Sequence, residues 1–177
     1  MRPNNFLIIS LFLFIISIPS LSFASEIVIK NTEPFVYVSI SYSGDYSEVP
    51  QAINMLMYNA RQQNILPTGP TFGIFPFSPL KEQKGASQWE IGFPVTPPIN
   101  PQAPLQVKQW PERKVASISC PGTPGKKREA YTSLFNWLEA NNFQQDGPII
   151  ERYLSLPSEM SSSTGNIEIW VPIKKKE

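Results

Sequence analysis

Gly69-Pro70-Thr71-Phe72-Gly73-Ile74-Phe75 returns 78 residues later as Gly147-Pro148-Ile149-Ile150-Glu151-Arg152-Tyr153. The same offset aligns residues 27–95 with residues 105–173 without a gap, and 14 of the 69 aligned pairs are identical, among them Gly44/Gly122, Asn64/Asn142, Glu90-Ile91/Glu168-Ile169 and Pro94/Pro172. Unrelated stretches of this composition would share roughly four. Two copies of this length read as a duplicated supersecondary module rather than a solenoid.

Each copy has the order strand, strand, helix, strand, strand. In the first, the expected strands are 27–30, 35–42, 72–77 and 88–93, with a polar loop of Lys81, Glu82 and Lys84 joining the last two. Val36, Val38, Ile40 and Tyr42 alternate with polar or aromatic neighbours, as a strand with two different faces does. A helix is expected to begin near Ser47 or Glu48, because Pro50 suits a first turn where its missing N–H would have no partner. Ile53, Leu56, Met57 and Ala60 give it an apolar stripe. The second copy predicts strands at 105–109, 114–120, 149–155 and 167–171 and a helix over 126–141, striped by Ala130, Tyr131, Leu134, Phe135 and Leu138. Four prolines within residues 96–104 make a stiff connector. The expected fold is therefore α+β: a duplicated ββαββ module forming two antiparallel sheets with one main helix each, related by a pseudo-twofold axis. One helix covers one face of a sheet, so a cleft is expected where the modules meet.

The first residues set a compartment. Met1 and Arg2 precede an apolar run from Phe6 to Ile18, then Pro19 and Leu21-Ser22-Phe23-Ala24. Small residues at 22 and 24 predict a secretory signal over residues 1–24, cleaved after Ala24; an uncleaved anchor is the other reading of the run. Residues 25–177 then form a single domain, periplasmic or secreted and not itself membrane-spanning. Of 15 Lys and Arg, all but Arg2 lie beyond residue 24 and balance 14 Asp and Glu. That neutrality argues against a nucleic-acid partner. A single cysteine, Cys120, allows no internal disulfide and is expected to be buried in a strand. With no histidine, His-based triads and His-ligated zinc or haem are excluded, and no cofactor is expected.

The break in the repeat points to a site. At strand spacing Ile149, Glu151 and Tyr153 share a face, and their counterparts are Thr71, Gly73 and Phe75. The second copy thus carries an acid that the first lacks. A carboxylate among rings can attract a cation, with the rings adding cation–π contacts; partly desolvated, it can act as a general acid or base; it can equally be an edge-strand residue paired with Arg152 or solvent. Trp89 and Trp170 sit at opposite parities in the last strands and so face opposite sides. Gly122-Thr123-Pro124-Gly125-Lys126-Lys127 lacks the spacing of a phosphate loop and reads as a turn.

The order of these features resembles the GyrI-like small-molecule-binding domain, the effector-binding domain also attached to AraC-type and multidrug-sensing regulators. The residues that carry the resemblance are Ser43-Gly44-Asp45-Tyr46 or Cys120-Pro121-Gly122 after a strand, an amphipathic helix, Asn-x-x-x-x-Gly-Pro, Glu151-x-Tyr153 and a final Glu-Ile-x-x-Pro. The resemblance implies a cleft for apolar, often cationic molecules, with Glu151 in the place of the acid that contacts the cation. Stand-alone relatives described as hydrolases would imply catalytic roles for Glu151 and Tyr153. A more distant resemblance to SOUL-type haem-binding proteins meets a chain without histidine. No helix-turn-helix segment accompanies the domain, so transcriptional regulation by its own DNA contacts is not expected, and an export signal sets it apart from gyrase inhibition. The leading expectation is an exported, non-enzymatic protein that captures a small amphipathic or cationic molecule, with Glu151 as charge partner and Tyr153, Phe75, Trp170 and Tyr42 as walls. The alternatives are a hydrolase using Glu151 and Tyr153, and an envelope module whose cleft receives a protein partner.

Overall fold

The computed structural model describes residues 26–79, 87–155 and 165–176. The expected signal segment and the loop carrying Lys81, Glu82 and Lys84 lie outside the described residues. Among the described residues, nine strands and two α-helices follow in the order β1 (Val28–Thr32), β2 (Phe35–Gly44), α1 (Val49–Gln62), β3 (Phe72–Phe75), β4 (Ser87–Pro94), β5 (Gln106–Trp110), β6 (Arg113–Pro121), α2 (Pro124–Ala140), β7 (Phe143–Gln145), β8 (Ile149–Tyr153) and β9 (Asn166–Lys175). A single 3-10 turn, Tyr46–Glu48, leads into α1. Strand β7, which the repeat does not predict, pairs with the end of β9.

The expectation of two sheets is corrected by the pairing. All strands except β7 run in one curled antiparallel sheet in the order β1-β6-β9-β8-β3-β4-β2-β5. Two exchanges weld the halves together. The first strand of each half pairs with the other half's second strand, β1 with β6 and β5 with β2. In the middle, β3 pairs with β8, which leaves no open strand edge between the modules. Exposed edges carry unpaired N–H and C=O groups, and joining them satisfies both sides at once. Exchanging each strand for its counterpart reverses this order onto itself, so the sequence repeat is expressed as a topological twofold centred between β3 and β8.

Both helices pack on one face. Ile53, Leu56 and Ala60 of α1 and Ala130, Leu134 and Leu138 of α2 join Val38, Ile40, Ile91, Phe93, Ile118, Ile149, Ile169 and Val171 in a single core. Leu56 and Leu134, identical across the repeat, are both fully buried; removing such a side chain from water contributes about 1.5–3 kcal/mol. Each helix ends on an asparagine with left-handed backbone, Asn64 at φ 54° and Asn142 at φ 58°. Asparagine tolerates that conformation at the residue after a helix, which accounts for this identical pair. The connector is docked as well: the Gln63 side chain just past α1 accepts from the Gln102 N–H at 2.7 Å and donates to its carbonyl at 3.1 Å.

The far face is also filled. Phe35, Tyr37, Phe72, Trp110, Ile150 and Trp170 cluster there. Beside them stands a network present twice. Lys30 donates to Glu168 at 2.5 Å and Ser117 donates at 3.0 Å; in the other half Lys108 donates to Glu90 at 2.6 Å and Ser39 at 3.0 Å. All three kinds of residue are identical across the offset, and in each copy the lysine comes from the exchanged first strand. Arg152 adds a further contact to Glu168 at 2.6 Å.

Partial burial pushes the Glu168 carboxyl up, but the hydrogen bonds from Lys30 and Ser117 and the Lys30 charge outweigh it and hold the group at about 2. A folded-state pKa below the unfolded one contributes stability above the unfolded value, and that contribution is lost as pH falls. We therefore expect thermal unfolding of the wild-type domain to shift downward between pH 4.5 and about 2, and Glu168→Gln to flatten that part of the profile. A second expectation concerns the centre of the sheet. A Cβ on Gly73 would lie 2.5 Å from the Phe75 ring and 3.0 Å from the Tyr153 hydroxyl. Gly73→Ala should lower stability by about 1–3 kcal/mol in urea unfolding, the usual cost of overpacking; an unchanged midpoint would show that the rings move aside freely.

Candidate functional site

The register of β3 against β8 places Gly73 directly opposite Glu151. These are the positions that correspond in the repeat, so the residue at which the halves differ lies where they meet. With Ile149, Glu151 and Tyr153 on the helix face, the Glu151 carboxylate points between the N-terminal ends of α1 and α2 and is completely buried. Its two oxygens are taken by phenols. Tyr131 of α2 donates to Oε1 at 2.7 Å, Tyr46 donates to Oε2 at 2.5 Å, and Tyr153 lies 3.4 Å from Oε2.

Each phenol is placed by local structure. Tyr131 belongs to the buried stripe of α2, whose start is set by Thr123, its side chain accepting from the Lys126 N–H, and by Pro124 in the first turn. Tyr46 follows Gly44 in the 3-10 turn. That turn is tied down by Glu48, which accepts from the Asp45 N–H at 2.9 Å and from the Tyr42 hydroxyl at 2.7 Å. Tyr153 ends β8, and its hydroxyl, with the Phe75 ring, occupies space that the absent side chain of Gly73 leaves open.

Burial and then the neighbouring Glu151 charge push the Tyr46, Tyr131 and Tyr153 hydroxyls well above the ordinary phenol value, so all three stay protonated donors. A buried carboxylate without partners would cost several kcal/mol, and hydrogen bonds to a charged group each contribute about 1.5–3 kcal/mol. Cys120 is buried in β6; burial, then Glu151, pushes its thiol up to about 11, which makes it an inert core residue.

Above this cluster lies a cleft of about 330 Å³. Tyr46, Val49 and Pro50 line it from the first half, and Pro124, Lys127, Tyr153 and Ile167 from the second. Glu151 sits behind the Tyr46 and Tyr153 rings, with its charge passed to the cleft through their hydroxyls. Lys127 reaches back over the floor: its ammonium donates to the Tyr46 hydroxyl at 2.6 Å and stands 4.5 Å from the ring centre.

The residues expected from sequence are partly brought together. Phe75 is buried and packs edge-on against Tyr46 with centroids 5.4 Å apart, and Trp89 continues the row to Tyr42. Tyr42 thus stands three ring contacts from the carboxylate. Trp170 is on the far face, 4.7 Å from the Lys30 ammonium and 4.5 Å from the Arg152 guanidinium, because its parity in β9 is opposite to that of Ile169. It is not a wall of the cleft that holds Tyr153. The opposite facing of Trp89 and Trp170 is as the alternation requires.

Tyr46, Tyr131 and Lys127 were not among the expected site residues. The repeat itself holds the signal. At the offset of 78, Tyr131 matches Ile53, Lys127 matches Val49 and Tyr153 matches Phe75, so the second-half members of the cluster fall where the first half is apolar; Tyr46, from the first half, matches Pro124 and carries no such signal.

Comparisons with known proteins agree with this architecture. The description "GyrI-like small molecule binding domain" matches residues 25–174. Among curated proteins none matches the sequence. Among solved structures, the C-terminal domain of EcmrR superposes with a TM-score of 0.72 at 15% identity, covering 86% of this chain and 99% of that one. In the EcmrR–DNA complex the TM-score is 0.73 at 18% identity over 85% of this chain, which spans 58% of the EcmrR chain. SAV2435 bound to tetraphenylphosphonium aligns at a TM-score of 0.52 and 14% identity, over 84% of this chain and 94% of its own. A hydrolase encoded by lin2189 from Listeria innocua aligns at 0.60 and 11%, over 86% of this chain and 94% of its own. At these identities the structures share the fold. The sequence match covers nearly the whole domain, from before β1 through the body of β9: the chain belongs to the GyrI-like small-molecule-binding domain family.

Proposed function

We propose that this protein is an exported receptor for an apolar or cationic amphipathic molecule, held in the cleft between the N-terminal ends of α1 and α2. One observation carries the reading: a fully buried carboxylate, hydrogen-bonded among the described residues only to phenols, lies at the base of a cleft to which both halves contribute. Phenols satisfy the carboxylate without neutralising it. An arginine in their place would cancel the charge by direct contact; three hydroxyls keep it behind electron-rich rings, with the Lys127 ammonium one phenol away. Such a surface favours a cation with apolar substituents, through cation–π contacts on Tyr46 and Tyr153 and the Glu151 field behind them. Tetraphenylphosphonium on SAV2435, a protein of the same fold, is a ligand of that chemistry.

The hydrolase reading asks Glu151 to activate water. Both of its oxygens already accept from tyrosine, and the carboxylate has no exposed surface. A general base must reach the proton it removes, so binding is the better use of this geometry. The protein-partner reading gains nothing from a cleft whose base is a single buried charge.

Calorimetric titration with tetraphenylphosphonium tests the proposal. The wild-type domain should bind, and Glu151→Gln should weaken binding by roughly tenfold or more, since a lost charge contact at a partly desolvated site is worth at least 1–2 kcal/mol. Equal affinity in both proteins would remove Glu151 as the charge partner. Export is tested separately: fractionation of the producing cell should recover the protein outside the cytoplasm with Ser25 as its first residue, and a cytoplasmic chain beginning at Met1 would defeat that part.

A further inference from the structure

Lys127 is the only side-chain cation that the described structure places on the phenol shell of Glu151. We infer that it is the resident counter-ion of the site: its ammonium holds the place a ligand cation would take, and an incoming cation binds by displacing it. This rests on the reading of the cleft as a cation-accepting site and adds the residue that sets its charge selectivity.

The donor and acceptor roles close without a gap. The Lys127 ammonium donates to the Tyr46 oxygen at 2.6 Å, and the Tyr46 hydroxyl hydrogen is donated on to Glu151 Oε2 at 2.5 Å. The result is an ion pair relayed by a phenol. The ammonium also stands at cation–π distance from the Tyr46 ring, the contact a quaternary cation would make there. Lys127 is partly buried and lines the cleft, so it occupies ligand space rather than a solvated surface.

Its position in the helix makes the placement informative. Lys127 lies near the start of α2, whose first turn carries no acidic residue, at the end where the helix dipole disfavours a cation. Neighbouring Lys126 answers this with an exposed partner, Glu129, at 2.7 Å. Lys127 instead reaches across the cleft to the first half of the chain. The corresponding residue in that half is Val49, which lines the same cleft without a charge. The lysine therefore arises with the acid: both are on the second half, and both have apolar or absent counterparts on the first.

The consequence is a lock on charge. With Lys127 in place the Glu151 charge is countered at the phenol shell; once the ammonium swings out, the negative potential of Glu151 is open to the ligand, and the exposed Arg128 at the cleft wall, which makes no contact to the phenols, stays in water. Lysine suits this role better than arginine, since its ammonium is a single strongly hydrated point charge on a flexible stem that can return to water.

Two measurements on the whole domain test the inference. The first uses no ligand: thermal unfolding of wild type, Lys127→Met, Glu151→Gln and the double variant. Lys127→Met should lower Tm when Glu151 is present and change it far less in the E151Q background. Equal Tm losses in both backgrounds would show that Lys127 does not serve Glu151 and overturn the proposal. The second is titration with tetraphenylphosphonium and tetraphenylborate, ions of the same shape and opposite charge. Lys127→Met should raise the cation-to-anion affinity ratio by about tenfold or more, while Lys127→Arg should stay near wild type. Coupled Tm values with an unchanged ratio would make Lys127 a structural counter-ion and overturn displacement. If neither ion binds any of these proteins, the binding reading of the cleft fails, and displacement with it; coupled Tm values would then mark the Lys127 contact as purely structural.

Discussion

The structure is organised around one cross-strand pair, Gly73 opposite Glu151, at the join of the two halves. A duplicated chain that pairs its copies through equivalent strands brings equivalent positions face to face there. Had both remained acidic, two carboxylates would have been about 5 Å apart on a dry face, where like charges are strongly unfavourable. Had both remained glycine, the helix face would have no charge at its centre. The difference between the halves is therefore compelled by the pairing once an acid is placed at that position. Glycine opposite the acid does a second job, since any side chain there would strike Phe75 and the Tyr153 hydroxyl.

The two faces of the sheet treat the repeat differently. On the far face the ion network Lys30–Glu168–Ser117 and its twin Lys108–Glu90–Ser39 are identical residue for residue, and each requires the strand exchange that brings a lysine from the other half. Symmetry there serves cohesion: neither half can complete its network alone. On the helix face the corresponding pairs are Glu151/Gly73, Tyr131/Ile53, Tyr153/Phe75 and Lys127/Val49. Each substitution replaces an apolar or absent side chain by a polar one of the same cluster, and none of the polar members makes sense without the others. A lone buried tyrosine leaves its hydroxyl unsatisfied, and a lone buried carboxylate costs more still.

The helix positions, the strand alternation and the opposite facing of the two tryptophans were legible in the sequence because each depends on spacing within one segment. Pro50 marks the start of α1, and Asn64 and Asn142 follow the helix ends; α2 begins at Pro124, two residues before its expected start and inside the stretch that reads as a turn. The single sheet was not legible. Whether β1 folds back on β2 or crosses to β6 depends on which partner edge is free in three dimensions, and the alternating pattern of Val28 to Thr32 is the same in either case. The candidate site was half legible for a related reason. Glu151 stands out as an acid at the position of a glycine, but Tyr131 sits in an apolar stripe where a tyrosine reads as core, and it is core; only its hydroxyl reaches Glu151. Trp170 lies on the face away from Glu151 because the register of β8 against β9 pairs it with Ile150 and pairs Glu151 with Ile169, and no single strand records that register.

A carboxylate that is buried but not neutralised is held at the expense of stability, and the shell chosen for it indicates what the protein does with the charge. Arginine would have formed a stronger, bidentate pair and ended the matter. Here the charge is instead spread over donors that cannot ionise, since burial and Glu151 itself hold the three phenols protonated. Among the described residues the cation on this shell, Lys127, is one hydroxyl removed from the carboxylate and mounted on a flexible stem at the cleft wall. Each step away from direct pairing keeps the negative potential available to something that enters from outside. In a purely structural centre that availability has no benefit to set against the desolvation it costs; in a receptor it is the source of affinity.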